Sequence, residues 1–284
     1  AVEELCRLGC PAFCVAPGAR SSPLALAVAR HPVAAARLHR GLDERSLAFF
    51  ALGVGRATGR AAVVITTSGT AVANLLPAAV EASMAGAPLL LLTADRPSEL
   101  RGTGANQTID QVGIFGGYVR HFADVAPPCS AEGAAAAAGG RGGGARVLCE
   151  VGRAFDAACR GVPSSSRPPG APPRVLPGPA HLNLQLSEPL GRSPGEFPRG
   201  FWSGTEGWLR GKARFQEEEV GVGVGLGGAQ ASSSPAIPAS LLELIASARR
   251  PLLVLGEART AADAAAAARI AAALNGRGGG RGVT

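Results

Sequence analysis

The sequence predicts an α/β protein: a parallel sheet with helices on both faces, followed by the start of a second α/β domain. Three observations predict it. Residues 12–16, 61–66 and 87–93 are short, almost continuously apolar runs, as suits strands buried on both faces. Between the runs, apolar residues recur at three- and four-residue spacing, as in Leu47, Phe50, Ala51 and Val54, which marks one face of a helix. Pro-Gly, Thr-Ser-Gly and Ala-Asp-Arg-Pro segments punctuate the strand ends.

The chain opens inside a helical pattern (Val2, Leu5, Leu8). The first strand, 12–16, closes at Pro17 and Gly18. Ser22 then reads as an N-cap with Pro23 at the first helical position, before Leu24, Leu26, Ala27 and Val28. Residues 37–40 suit a short second strand, and a helix runs on from Glu44. A β-branched strand at 61–66, a helix at 70–85 and an apolar strand at 87–93 follow. Further on, 146–159 has helical periodicity and 181–186 alternates like a strand. A fresh unit begins with a helix at 239–248, a strand at 251–255 and a helix at 261–274. The expected division is a first domain over 1–192 with low-complexity inserts at 131–147 and 163–179, a flexible linker over 193–240, and an incomplete domain over 241–284.

Composition narrows the function classes. Of 284 residues, 46% are hydrophobic and 17% charged, enough to fill a core and unlike a disordered chain. The longest apolar run, 87–92, falls far short of the roughly 20 residues that span a bilayer, so no membrane partner is expected. The net charge is +7, and Lys212 is the only lysine among 28 cationic residues. Ala, Gly, Arg and Pro dominate together, so the basic balance reads as compositional bias and no nucleic-acid partner is expected. Phe49 and Phe50 lie in a helical pattern and offer bases no stacking platform. The six cysteines form no C-x-x-C pair and the four histidines do not cluster near them. Free thiols, a reducing compartment and no metal site in this chain follow. Both termini read as cut, with no signal or transit segment.

Ligands of parallel α/β sheets bind beyond the carboxyl ends of the strands. Four polar loops fall there: residues 17–22, 42–45, 67–70 and 93–97. Glu44 opens a helix at a strand–helix junction. There it is either an exposed first-turn acid or a carboxyl whose burial makes it a proton donor. Arg20 and Arg96, if they converge, form a bidentate clamp for carboxylates. Thr70 caps a helix or offers its hydroxyl and nearby N–H groups to a ligand. Gly53, Gly55 and Gly59 imitate a dinucleotide motif but lie within a helical pattern, the wrong context. No phosphate-binding G-x-x-x-x-G-K-[ST] loop exists.

Taken together, APGARSSPL (16–24), LDERSLAFFALG (42–53), TTSGTAVANLLPAAVEA (66–82), LLLTADRPSEL (91–100) and GANQTIDQVGIFG (104–116) resemble one family. It is the MenD family of thiamine-diphosphate enzymes, the 2-succinyl-5-enolpyruvyl-6-hydroxy-3-cyclohexene-1-carboxylate synthases of menaquinone and phylloquinone biosynthesis. The resemblance covers residues 1–125 and resumes at AHLNLQLSEPL (180–190). It implies that this is an N-terminal fragment: a pyrimidine-binding (Pyr) domain and part of a central domain. It further implies thiamine diphosphate as cofactor, with Glu44 hydrogen-bonded to N1′ of the aminopyrimidine and Pro17, Thr70 and Asn74 beside it. Arg20, Arg96, Asn106 and Gln107 would bind substrate. The implied reaction decarboxylates 2-oxoglutarate and adds the succinyl-semialdehyde carbanion to isochorismate, the cofactor carrying the electrons.

Two residues depart from the family pattern: Ala19 stands where bacterial members commonly have Ser, and Asp110 where some have Arg. No Asp-Gly pair occurs, so the ligands of Mg²⁺ are expected in a C-terminal domain, the fragment alone is expected to be inactive, and the complete enzyme is expected to be a homodimer or a dimer of dimers. The Ala/Gly inserts suggest a plant or algal plastid version; otherwise the enzyme would be cytoplasmic. The alternatives are a fragment of an acetolactate synthase or 2-oxo-acid decarboxylase, or a non-catalytic truncated product.

Overall fold

The computed structural model describes residues 1–127, 142–161, 176–191, 200–215 and 261–277. They fall in two compact units, Ala1–Glu218 and Glu219–Thr284. The first unit holds a six-stranded sheet of β1 (Phe13–Val15), β2 (Leu38–Arg40), β3 (Ala62–Thr66), β4 (Leu89–Asp95), β5 (Phe122–Val125) and β6 (Pro179–Gln185). The order is β2-β1-β3-β4-β6-β5, and every pairing is parallel. All six carboxyl ends therefore lie along one edge. The expected α/β class and parallel sheet are present.

Because side chains alternate along a strand, each strand feeds two cores. Phe13, Val15, Val63, Ile65, Leu90 and Leu92 face α1 (Val2–Arg7), α2 (Ser22–Arg30) and α3 (Pro32–Ala35), together with the long helix at Gly143–Arg160. Their neighbours Cys14, Val64, Leu89 and Leu91 face α4 (Glu44–Thr58), α5 (Thr70–Ala73) and α6 (Leu76–Ala85). The second face is built largely of alanine, so the backbones approach closely: a Cβ at Gly55 would lie 2.0 Å from the Pro88 carbonyl oxygen. The helix at Gly143–Arg160 is α7; α8 is Glu206–Arg210 and α9 is Ala261–Arg277.

Several expected boundaries shift for local reasons. The helix expected at 70–85 is two, α5 and α6, broken at Asn74 and Leu75 where Pro77 cannot supply an N–H. Ser21, not Ser22, is the N-cap of α2, and its Oγ donates to the Gly18 carbonyl (3.1 Å) instead of accepting from the helix. Helix α7 begins at Gly143, inside the expected insert 131–147. Strand β5 and the short α3 have no counterpart among the expected elements.

Residues 200–215 fall in the expected flexible linker but belong to the first unit, where they pack against α1. Trp208 Nε1 donates to Glu4 Oε2 (2.6 Å), the Phe215 N–H donates to Glu4 Oε1 (2.9 Å), and Arg7 lies over the Trp208 ring (4.2 Å). In the second unit, α9 covers the helix expected at 261–274. The helix at 239–248 and the strand at 251–255 lie outside the described residues, as does most of 163–179.

Candidate active site

The loops beyond β1, β3 and β4 form one connected structure. Gly18 is pressed against Thr67, so closely that a Cβ would lie 2.2 Å from the threonine Cβ. The Thr-Ser-Gly turn is then clasped by the loop after β4. Ser68 Oγ donates to the Gln107 carbonyl (3.1 Å), and Gln107 Nε2 donates back to the Ser68 carbonyl (3.0 Å). These bonds hold Gln107 at φ 55°, a left-handed conformation unusual for a side chain of its size. Arg96 completes the clasp, donating from NH1 to Ser68 Oγ and to the Gln107 carbonyl (2.8 Å).

Arg20 and Arg96 lie near enough for the charge of one to act on the other. They are 9% and 8% exposed. Burial first, and the Arg20 charge next, draw the Arg96 guanidinium below its ordinary range, with Asp95 and Glu188 pulling the other way. Arg20 donates from NH1 to the Leu186 carbonyl (2.8 Å), and its NH2 lies 3.1 Å from Glu188 Oε1. Its Nε is buried with no partner among the described residues. Asn106 and Gln107 are exposed on the loop beside this pair.

Glu44 is the first residue of α4, half-buried. Asp43 takes the capping role, its Oδ1 accepting from the Ser46 N–H (2.7 Å), which leaves the Glu44 carboxyl clear of that task. Among the described residues no hydrogen bond or ion pair joins Glu44 to Arg20 or Arg96; its loop follows β2, at the far edge of the strand order. Thr70 and Asn74, at the two ends of α5, are exposed, as is Pro17.

The fit of the turn to a bound group rests on its polar atoms. Thr66 and Thr67, at the end of β3, hold buried Oγ1 hydroxyls that have no partner among the described residues. Gly69 sits at φ 84°, where a Cβ would meet the Gln107 carbonyl oxygen at 3.0 Å. Buried hydroxyls are ordinarily paired. Their unused hydrogen-bonding capacity is what a polar ring held at this turn would take up. Among the described residues no three His, Cys, Asp or Glu side chains cluster as a metal site.

Sequence reasoning missed the polar network beneath these loops. Gln111, 1% exposed, accepts from the Gly69 N–H at Oε1 (2.9 Å) and donates from Nε2 to Asn183 Oδ1 (2.8 Å) and the Ala94 carbonyl (3.2 Å). Asn183 Nδ2 donates to Asp95 and Asp124 (both 2.8 Å), and Arg101 bridges the same two carboxylates (2.6 and 2.7 Å). Thr93 Oγ1 contacts both Asn183 Oδ1 (2.9 Å) and His181 Nε2 (2.8 Å). Burial pushes the His181 imidazole down to about 3, so it is neutral, edged by Phe115 (ring centroids 4.7 Å). The signal was present: His181, Asn183 and Gln185 alternate along a buried strand, and three polar side chains on one covered face must find partners.

Residues 2–114 match the family described as "Thiamine pyrophosphate enzyme, N-terminal TPP binding domain". The chain is 45% identical over 278 residues to the 2-succinyl-5-enolpyruvyl-6-hydroxy-3-cyclohexene-1-carboxylate synthase of Rubrobacter xylanophilus, covering 96% of this chain and 41% of that protein. It is 44% identical to the synthase of the same name from Salinibacter ruber, covering 96% of this chain and 40% of that one. It is also 39% identical over 259 residues to the protein PHYLLO, chloroplastic, of Arabidopsis thaliana, covering 91% of this chain and 13% of that protein. The chain thus spans about two fifths of the length of the two bacterial synthases. Residues 2–114 thus match the N-terminal TPP binding domain of thiamine pyrophosphate enzymes, and over 96% of its length the chain is similar to the 2-succinyl-5-enolpyruvyl-6-hydroxy-3-cyclohexene-1-carboxylate synthases.

Proposed function

We propose that this chain supplies the pyrimidine-binding half of a transferase. The transferase decarboxylates 2-oxoglutarate and joins the resulting four-carbon unit to isochorismate, on the way to menaquinone or phylloquinone. The observation that carries the reading is the Arg20–Arg96 pair: two buried guanidinium groups, one with an unpartnered Nε, beside the Thr-Ser-Gly turn. Substrates carrying two carboxylates give such a pair a task that a small monoanion such as pyruvate does not.

Thiamine diphosphate, when bound, supplies a nucleophilic carbon and a sink for the electrons released on decarboxylation. Pro17, Thr70 and Asn74 would line its pyrimidine, and Glu44 would hold a proton at the ring nitrogen facing it. Asn106 and Gln107 would orient substrate over the turn. Mg²⁺ and the diphosphate would be held by residues beyond this chain, so we expect two copies to complete each site in a homodimer. A plastid location goes with the likeness to the Arabidopsis protein; a bacterial source would make it cytoplasmic.

The test is Glu44→Gln in the full-length enzyme containing this chain. Exchange of the cofactor's C2 proton should slow by about a hundred-fold or more, with unfolding midpoint unchanged. Near-normal exchange refutes the role of Glu44. Turnover with pyruvate in preference to 2-oxoglutarate refutes the substrate assignment.

A further inference from the structure

Two like charges held out of water require an anion nearby. Asp95 acts on Arg96, but its carboxylate is engaged by Arg101 and by Asn183. Among the described residues the remaining counter-ion is Glu188. Its Oε1 lies 3.1 Å from Arg20 NH2, and its charge acts on Arg96 as well. Unlike the arginines, the Glu188 side chain is 63% exposed, with water on its outer face. An ion pair so exposed is weak and opens easily. The chain itself leaves the Arg20 guanidinium unsaturated, since Nε is buried without a partner.

Resting on the reading of Arg20 and Arg96 as a dicarboxylate clamp, we propose that Glu188 is its affinity-determining residue. Its carboxylate stands against Arg20 where a ligand carboxylate would, and an incoming dianion binds by displacing it. While Glu188 is in place, it offsets one of the two positive charges; once it swings into water, both are offered to the ligand. Glu188 therefore keeps the clamp charge-compensated when empty and lowers its affinity for every anion, most for those carrying two charges.

The experiment titrates 2-oxoglutarate, and separately pyruvate, into the full 284-residue chain and its E188Q and R20Q variants by calorimetry, at low and at moderate salt. E188Q should bind 2-oxoglutarate about two- to five-fold tighter than the unaltered chain. The gain for pyruvate should be smaller, and added salt should shrink both. Unchanged or weaker binding by E188Q, with its urea midpoint intact, overturns the inference and makes Glu188 a strut that holds Arg20 in place. The clamp is judged separately by R20Q. If the unaltered chain binds and R20Q does not, the clamp stands whatever E188Q does. If the two bind alike, or neither binds, the clamp fails and the role of Glu188 falls with it.

Discussion

Arg20 and Arg120 are equally buried, each 9% exposed, yet their donors are used in opposite ways. Arg120 staples the chain to itself. Nε donates to the Leu176 carbonyl (3.0 Å), NH1 to Ser83 Oγ (2.9 Å) and the Tyr118 carbonyl (3.2 Å), and NH2 to the Ser83 and Pro177 carbonyls (2.9 and 3.1 Å). Gly178 makes room for it: a Cβ there would lie 2.5 Å from the guanidinium carbon. Among the described residues Arg20 has one backbone carbonyl, one half-solvated carboxylate and one buried N–H without an acceptor. The contrast separates a structural arginine from a binding one in a chain where composition cannot. Burial alone does not distinguish them; what does is whether the chain's own acceptors exhaust the donors.

Removing each guanidinium tests the contrast most sharply. Arg120→Met strands up to four carbonyls from three segments and should destabilise the fold by about 3 kcal/mol or more in urea unfolding. Arg20→Gln removes a charge repelled by its neighbour and should cost about 1 kcal/mol or less while abolishing dicarboxylate binding. A large stability loss at Arg20 with a small one at Arg120 would break the comparison.

Gln111 gives a middle case, a polar side chain that is both fully satisfied and adjacent to the site. Gln111→Met keeps the volume but leaves the Gly69 N–H and the Ala94 carbonyl unmet. The expected cost is about 2 kcal/mol. Its specific signature is faster hydrogen exchange at the Gly69 amide than at the β3 amides, since Gln111 alone closes that N–H. Uniform loss of protection across the sheet would mean that Gln111 supports the core rather than the turn.

The centre of the sheet was legible because β1, β3 and β4 are apolar on both faces and the turns after β1 and β3 carry Pro-Gly and Thr-Ser-Gly signatures, features that a single sequence displays locally. Arg20 and Arg96 were legible as candidate site residues because each lies in a loop at a carboxyl end; Gln107 was named only through the family resemblance. The Gln111–Asn183–Asp95–Arg101–Asp124 network was not, because its members come from four segments and only tertiary pairing brings them within 3 Å. Residues 200–215 misled for a related reason. Gly and Ser around two tryptophans look like a tether, but the docking depends on Glu4, some two hundred residues away, accepting from Trp208 and Phe215. Pro77 was visible in the sequence and should have split the helix at 70–85; alanine on both sides masked it.

Glu4 and Asp124 carry the comparison into acid, with the smallest expected effects. Burial raises the Glu4 carboxyl above its usual range, and the bonds from Trp208 and Phe215 only partly oppose it. Burial also acts upward on Asp124, but hydrogen bonds from Arg101, Asn183 and Gln185 outweigh it and hold the carboxyl below its usual range. The signs therefore differ. Asp124 binds protons less readily folded than unfolded, so its stabilisation is present above the ordinary carboxylate range and is lost as pH falls through its folded value. Glu4 binds protons more readily folded, so the stability tied to it increases as pH falls toward the ordinary range and is lost as pH rises through its folded value. Between about pH 6 and about pH 3, Asp124→Asn should flatten the loss of stability by about 1 kcal/mol once solvent screening is allowed for. Glu4→Gln should steepen that loss by a smaller amount, because the compensating protonation is gone. Urea unfolding at the two pH values reads both slopes. If both variants move the slope the same way, then one of these carboxylates is not held as its hydrogen bonds require.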